Sequence, residues 1–325
     1  MHRRDFLTTG AAFGVGFAFA APALAQPYPS RPIKIIVGFP PGGPSDTVAR
    51  IVGDRLSMSL GQPAIIDNRP GGAGGTTGIK AAASANPDGY TVSVVTPSMA
   101  IAPSIYRNLG YDPVSSFTPV AMVARSPDIF VVNAAFPAKS IQELVAYAKA
   151  HPGKVHFGSP GYGSTPHLIG ELFKLQAGIE IVHVPYRGSA PAVTDLLAGQ
   201  IQMFVEAGPT ILPLIEAGKL RAVAVTGETR NPNLPGVQTM IESGFPGFVV
   251  YFWIGMVAPA GMPETVVSKL NAVINDGLRS PQMQASLAKI GLEPAIGTPR
   301  EFAAVIASET QRWAAVVKEA GIKVD

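Results

Sequence analysis

Two short stretches carry residue types suited to one kind of chemistry, the holding of a small anion by backbone rather than by side-chain charge. The first is Phe39-Pro40-Pro41-Gly42-Gly43-Pro44-Ser45-Asp46. It follows the apolar, β-branched run Ile33–Val37 and precedes apolar residues at Val48, Ile51, Val52 and Leu56. That order predicts a buried strand, a glycine-rich turn and a helix N-terminus. Ser45 suits the N-cap, and Asp46 complements the positive end of the helix. A corner of this kind leaves backbone N–H groups unpaired and carries partial positive charge, so it favours an anion. A tight turn that binds nothing stays open as the alternative. The second stretch is Gly158-Ser159-Pro160-Gly161-Tyr162-Gly163-Ser164-Thr165-Pro166-His167. It joins a strand candidate, Lys154–Gly158, to a helix bearing Leu168, Ile169, Leu172 and Phe173, with Thr165 as cap and Pro166 at the first helical position. Two such corners facing each other would form a pincer for one small anion.

Single residues near these corners each have a chemical and a structural reading. Asp46 could meet a ligand amine or a metal, but a helix-end role is the commoner one. His167 could donate to a carboxylate or bond to the loop backbone. Arg187, at the end of a strand, could serve as counter-ion to an acid or lie in solvent. Glu206 could face a ligand amine or water. Tyr251, Phe252 and Trp253 are consecutive and could wall a pocket, although strand alternation places at least one of them in the core.

Other chemistries are excluded by pattern. Gly72-x-Gly74 and Gly161-x-Gly163 both lack the third glycine of a dinucleotide loop, ending on Thr77 and Pro166. There is no Gly-Lys-Ser/Thr for phosphate, no G-x-S-x-G nucleophile elbow and no H-E-x-x-H. No cysteine is present, which removes thiolate metal sites, cysteine nucleophiles, disulfides and a lipoprotein anchor together. A formal charge of +3 over 325 residues, without a Lys/Arg cluster, gives no nucleic-acid footprint.

The elements that must position the two corners alternate. Strand candidates at Ile33–Val37, Ala64–Asp67 and Tyr90–Val95 enclose helical stretches, and the pattern resumes with Ile129–Asn133, Ser140–Ala150 and Lys154–Gly158. Ile181–Val184, a helix over about Ala190–Ala198, Ile201–Val205 and Arg221–Val225 continue it. This alternation predicts α/β architecture with parallel, doubly wound sheets. The C-terminal region reads as helices, with a capping box at Thr298-Pro299-Arg300-Glu301 and an apolar face of Phe302, Val305, Ile306, Trp313, Val316 and Val317. At the other end, Arg3-Arg4-Asp5-Phe6-Leu7, an apolar middle and Ala23-Leu24-Ala25 describe a cleavable, twin-arginine-like export signal over residues 1–25. Cleavage is expected near Ala25, giving a periplasmic mature protein.

Phe39-Pro-Pro-Gly42-Gly43-x-x-Asp46-x-x-Ala49-Arg50, Asn68-Arg69-Pro70-Gly71-Gly72-Ala73-Gly74-Gly75 and Asn86-Pro87-Asp88-Gly89-Tyr90-Thr91 resemble the first half of a Bug receptor. The second half agrees through Gly161-x-Gly163-Ser164-x-x-His167-Leu168, Val184-Pro185-Tyr186-Arg187-Gly188, Ala217-Gly218-Lys219-Leu220-Arg221-Ala222 and Ala258-Pro259-Ala260-Gly261-x-Pro263. These are the TctC-like periplasmic receptors of tripartite tricarboxylate transporters, and the likeness runs in order along the whole mature chain. Two departures are Gln238-Thr239, where Pro-Thr is usual, and Arg187, where Lys is common.

The resemblance implies a two-lobed fold of the type II periplasmic binding-protein kind, each lobe a mostly parallel sheet flanked by helices, with the ligand cleft between. The expected division is 26–126 for the first lobe, 127–230 for the second and 231–325 for the rest of the first. Crossings fall near Arg125–Asp128 and Thr226–Gly236. It implies that a small organic carboxylate is held by the loops Phe39–Asp46 and Gly161–His167, with Phe39 covering it and Ser98, Ser164 and Thr165 offering hydroxyls. No cofactor, metal or catalytic residue is expected. The expected partners are the membrane subunits of a transporter, with the receptor itself a monomer. A sensory role, in which the ligand-loaded receptor acts as co-receptor for a sensor kinase, and a periplasmic enzyme acting on a carboxylic acid are the rival readings. Which acid binds stays open between citrate-like, dicarboxylate, amino-acid and aromatic ligands.

Overall fold

The computed structural model of the chain describes residues 28–322; the export signal expected over 1–25 lies outside the described residues. The chain opens with β1 (Ile33–Val37), α1 (Pro44–Leu60), β2 (Ala64–Asn68), α2 (Thr76–Ala83), β3 (Thr91–Val95) and the short α3 (Ser98–Ile101). β1 lies between β2 and β3 and runs parallel to both, as strands joined through helices must. β4 (Phe117–Asn133) then runs on into a second unit. There follow α4 (Ile141–Ala150), β5 (Val155–Ser159), α5 (Thr165–Ala177), β6 (Ile181–Pro185), α6 (Ser189–Leu197), β7 (Met203–Ala207), α7 (Gly208–Glu216) and β8 (Leu220–Val225). Here β5 is parallel to both β6 and β7. The chain returns as β9 (Tyr251–Pro259), α8 (Glu264–Arg279), α9 (Pro281–Ala288), β10 (Glu293–Pro294) and α10 (Pro299–Glu319).

The fold is thus a two-lobed α/β structure, and β4 belongs to both lobes. Its first part, Phe117 to Pro127, pairs antiparallel with β9, which in turn pairs antiparallel with β3. Its second part, from Asp128 onward, pairs antiparallel with β7 and β8. β4 therefore points the same way as β3 and leaves the first sheet at that sheet's carboxyl edge. It enters the second sheet against β7, so at the carboxyl edge of that one too. The cleft between lobes consequently lies beyond the carboxyl ends of both parallel sets, the place where α/β sheets bind ligands. Each sheet is more mixed than its helical spacing predicts, three parallel strands closed by antiparallel ones, because a strand shared by two facing lobes cannot run parallel to both.

Burial follows the same division. Ile33, Ile35, Val92, Val94, Ile254 and Leu270 lie in the first-lobe core. Phe130, Phe157, Phe173 and Phe248 lie in the second, where Phe130 meets Phe173 and Phe248 edge to face at 5.1 and 5.9 Å. Residues 231–250, expected with the first lobe, place Met240, Phe248 and Val250 in this second core. The Val225 N–H donates to Gln238 and the Met240 N–H to Val225. The return crossing falls at Val250–Tyr251, later than the Pro- and Asn-rich stretch suggests, because those apolar side chains can be buried only against the second sheet.

The two crossings are fastened to each other. The Thr226 hydroxyl donates to Val250 O at 2.6 Å and receives the Asp128 N–H at 2.8 Å, and Val250 N–H returns to Thr226 O at 3.0 Å. The C-terminal helix α10 lies across both lobes. It has the capping box expected at Thr298 and Glu301. Phe302 and Ile306 pack beside Trp253 in a first-lobe layer, while Trp313, Val316 and Val317 enter the second core.

Candidate functional site

Between the lobes lies a cleft of about 660 Å³, the size range of small-molecule sites. Phe39, Tyr106 and Phe252 give it an apolar wall, Tyr162 stands at its rim, and Thr96 and Ser98 add hydroxyls. Helix N-termini from both lobes open into it, and their construction follows from local sequence.

On the first lobe, Gly43 is the N-cap of α1 in extended backbone and Pro44 is the first helical residue. The cap is thus two residues earlier than the Ser45 expected, because Pro44, with its fixed φ and no N–H to satisfy, suits the first helical position. Ser45 is buried against the cleft wall, and its N–H, like that of Asp46, has no acceptor among the described residues. Asp46 does not line the cleft. Its carboxylate accepts the Gly42 N–H at 2.9 Å, the Arg50 guanidinium at 2.9 and 3.0 Å and the Asn68 amide at 2.9 Å. Asn68 also donates to Phe39 O at 3.1 Å. Asp46 therefore clamps the glycine turn to α1 and to the end of β2, which gives the corner its shape. Arg50, followed by the other donors, holds its carboxyl down at about 2. Gly42 is turned towards this clamp, at φ +88°, and is not part of the cleft lining.

On the second lobe, Ser164 is the N-cap of α5, not Thr165, and Pro166 is the second helical residue. The Ser164 hydroxyl accepts the His167 N–H at 3.4 Å and donates to Gly161 O at 2.7 Å. The Thr165 N–H has no acceptor among the described residues, and Thr165 lines the same cleft. Gly163 has φ +72°, and a Cβ there would stand 2.5 Å from Ile105 Cδ1, so only glycine fits. Its N–H donates to His167 Nδ1 at 3.1 Å. His167 is buried behind the loop, stacked on His183 at 3.9 Å, and does not reach the cleft. Arg187 is exposed and also outside the lining. Ten of the residues singled out from sequence thus line one cleft: Phe39, Gly43, Pro44, Ser45, Ser98, Gly161, Gly163, Ser164, Thr165 and Glu206. Gly42, Asp46, His167 and Arg187 do not. The first three of these brace the corners from behind.

The histidine pair gives the second corner a pH dependence. Burial lowers His167 to about 4 and His183 to about 3, with the charge of Lys174 adding to both and that of His167 adding at His183. A protonated His167 cannot accept the Gly163 N–H. With folded values below the ordinary 6.5, both groups are neutral in either state above that pH and contribute nothing. Below it the unfolded chain takes up protons first, so stability falls from about pH 6.5 towards 4. His183→Phe, measured by thermal melts across that range, is expected to flatten the acid limb. It should also cost about 1 kcal/mol at pH 7 through loss of the 2.6 Å contact with Ser159 Oγ.

Asp128, Ser189, Thr210, Tyr106 and Thr96 also line the cleft and were not singled out from sequence. Asp128 is the most consequential. A lone acid at the head of the apolar run Ile129–Val132 was the available signal, since a strand entering a core rarely carries a carboxylate without purpose.

Two α/β lobes joined by paired crossing strands, with helix N-termini opening on the cleft between them, make up the architecture of a two-lobed solute-binding receptor. Residues 48–322 match the family model described as tripartite tricarboxylate transporter family receptor, TctC, and the chain belongs to that family. Among its relatives, protein BugT of Bordetella pertussis is 41% identical over 307 residues, covering 94% of both chains. The solved structure of the periplasmic binding protein BugD is 36% identical with a TM-score of 0.76, over 91% of this chain and all of that one. Rpa4515 of R. palustris, solved with adipate, is 38% identical with a TM-score of 0.80, over 91% and 100%. The family is one of receptors and BugD is a periplasmic binding protein, so the chain is a solute-binding protein and not an enzyme.

Proposed function

We propose that this protein captures a small organic carboxylate in the interlobe cleft and delivers it, by way of the periplasm, to the membrane subunits of a tripartite transporter. One observation carries the reading: Ser45 and Thr165, on helices of opposite lobes, border the same cleft with backbone N–H groups that have no acceptor among the described residues. A carboxylate there would accept from both helix ends, and each end's partial charge adds to its hold. The solved relative with adipate supports an acid ligand, and the export signal read over 1–25 supports the compartment. Closure of the lobes on the ligand would bend the chain at Asp128, Thr226 and Val250, where the crossings are bonded.

The test is a thermal-shift panel of the mature protein with small carboxylic acids and their uncharged amides. A ligand that binds only the native state raises Tm. One acid is expected to raise it by several degrees and its amide to leave it unchanged. Equal shifts with acid and amide, or none with any acid, would overturn the proposal.

A further inference from the structure

Asp128 stands on β4 where that strand passes from one sheet to the other, 1% exposed and lining the cleft. A Phe252 backbone N–H reaches its carboxyl, but Oδ2 has no hydrogen-bond partner among the described residues. Glu206 stands near the end of the neighbouring strand β7, lines the same cleft, and its charge acts on Asp128. Glu206 is better provided for. The Ser189 hydroxyl donates to it at 2.5 Å and the Ala207 N–H at 3.0 Å. Neither carboxyl has a lysine, arginine or histidine within ion-pair distance among the described residues. Glu309 behind them adds negative charge, and its neighbour Arg312 is drawn to it at 3.7 Å.

Two acids without a counter-ion, one with an unmatched oxygen, therefore share a mostly apolar cleft with the two anion corners. Burial first, and for Asp128 the charge of Glu206 as well, pushes both carboxyls above the ordinary range, which marks a place short of positive charge. A ligand ammonium here would make charge-assisted hydrogen bonds to Asp128 Oδ2 and relieve the repulsion between the two acids. A second ligand carboxylate would instead meet both of them.

We infer that the cleft is built for a zwitterionic amino acid, its carboxylate on the α1 and α5 corners and its ammonium on Asp128 and Glu206. This rests on the carboxylate-receptor reading and narrows it. It separates the chain from a receptor for dicarboxylates such as the adipate of its relative.

The test is isothermal titration of the mature protein with ligand sets of equal chain length: an amino acid carrying its amine at the α or the terminal position, the dicarboxylate and the plain monoacid. For six carbons these are norleucine and 6-aminohexanoate, adipate and hexanoate; four- and five-carbon sets extend the series. In at least one set the amino acid is expected to bind about tenfold or more tightly than both competitors, the scale of one charge-assisted contact. Asp128→Asn combined with Glu206→Gln should abolish or invert that order. A dicarboxylate or monoacid that equals or exceeds the amino acid in every set would overturn the inference and leave the carboxylate receptor standing. So would a folded double variant that keeps the preference. If no acid of any set binds, the receptor reading fails, and this inference with it. The wild-type ranking decides the matter even where the double variant does not fold.

Discussion

Replacing Trp313 by alanine is expected to cost about 3–5 kcal/mol of stability, the range for deleting a large buried aromatic. The indole is fully buried in the second-lobe core, and its Nε1–H donates to Glu309 Oε2 at 2.6 Å. Truncation leaves a cavity and takes away the donor that helps keep Glu309 ionised against burial. The damage should not stay local. Trp313 anchors the far half of α10 to the second lobe, while Phe302 and Ile306 fix the near half to the first. The melt is expected to shift down by roughly 6–15 °C and to broaden as the lobes lose a shared brace. Trp313→Phe refills most of the volume without the N–H, so it should recover all but about 1 kcal/mol. A melt of the alanine variant within 2–3 °C of wild type would show that α10 is not a brace.

Asp46→Ala is the second large effect, and it should reach binding as well as stability. The substitution strands the Gly42 N–H and the Asn68 amide, and it frees Arg50. Arg50 is half-exposed and can turn to water, so most of the loss comes from the two other donors, about 2–4 kcal/mol in all. Affinity for the ligand should fall tenfold or more, because the loop that presents the Ser45 N–H is no longer held. The sign with pH is fixed. Asp46 titrates lower in the folded protein than its ordinary 3.8, so its contribution is complete above that pH and fades as pH falls towards about 2. Wild type and variant should therefore converge in acid. Chemical denaturation at pH 7 and pH 3, with titration of the ligand found by the acid panel, checks both parts. Unchanged affinity in a destabilised variant would mean that the loop keeps its shape without the clamp.

The parts of the molecule that could be read in advance are those whose cause is local. Ile33–Val37 followed by Gly42, Gly43 and Pro44 specifies a strand, a turn and a helix start within a dozen residues, and both corners were legible for that reason. Their caps were misplaced, by two residues at Gly43 and by one at Ser164. Several small polar or glycine residues in a row can each cap a helix, and the choice falls to Pro44 in one case and to the reach of a side chain to His167 in the other. Asp128 stayed hidden because its meaning depends on β7 and β9, which come from distant parts of the chain. The assignment of 231–250 failed on the same ground. Pro and Asn mark a linker, whereas Met240, Phe248 and Val250 reveal their destination only when the second sheet exists to receive them. Asp46 and His167 each carry a chemical and a structural reading in the sequence, and the structure takes the structural one for both, since charge at a helix start does not say whether it faces the cleft or the fold.

The place of β9 has a consequence for how the protein is made. It inserts between β3 and β4, strands synthesised well before it, so the first sheet remains open along its middle until residue 259 has been translated. The second sheet, by contrast, has all its strands between β4 and β8, although its core still awaits Trp313, Val316 and Val317 of α10. During synthesis the second sheet can therefore pair before the first one, and the N-terminal segment must wait with two unpaired strand edges exposed. A chain stalled or truncated before residue 250 would lack the insert that joins its opening strands to the hinge, and would keep those strand edges exposed.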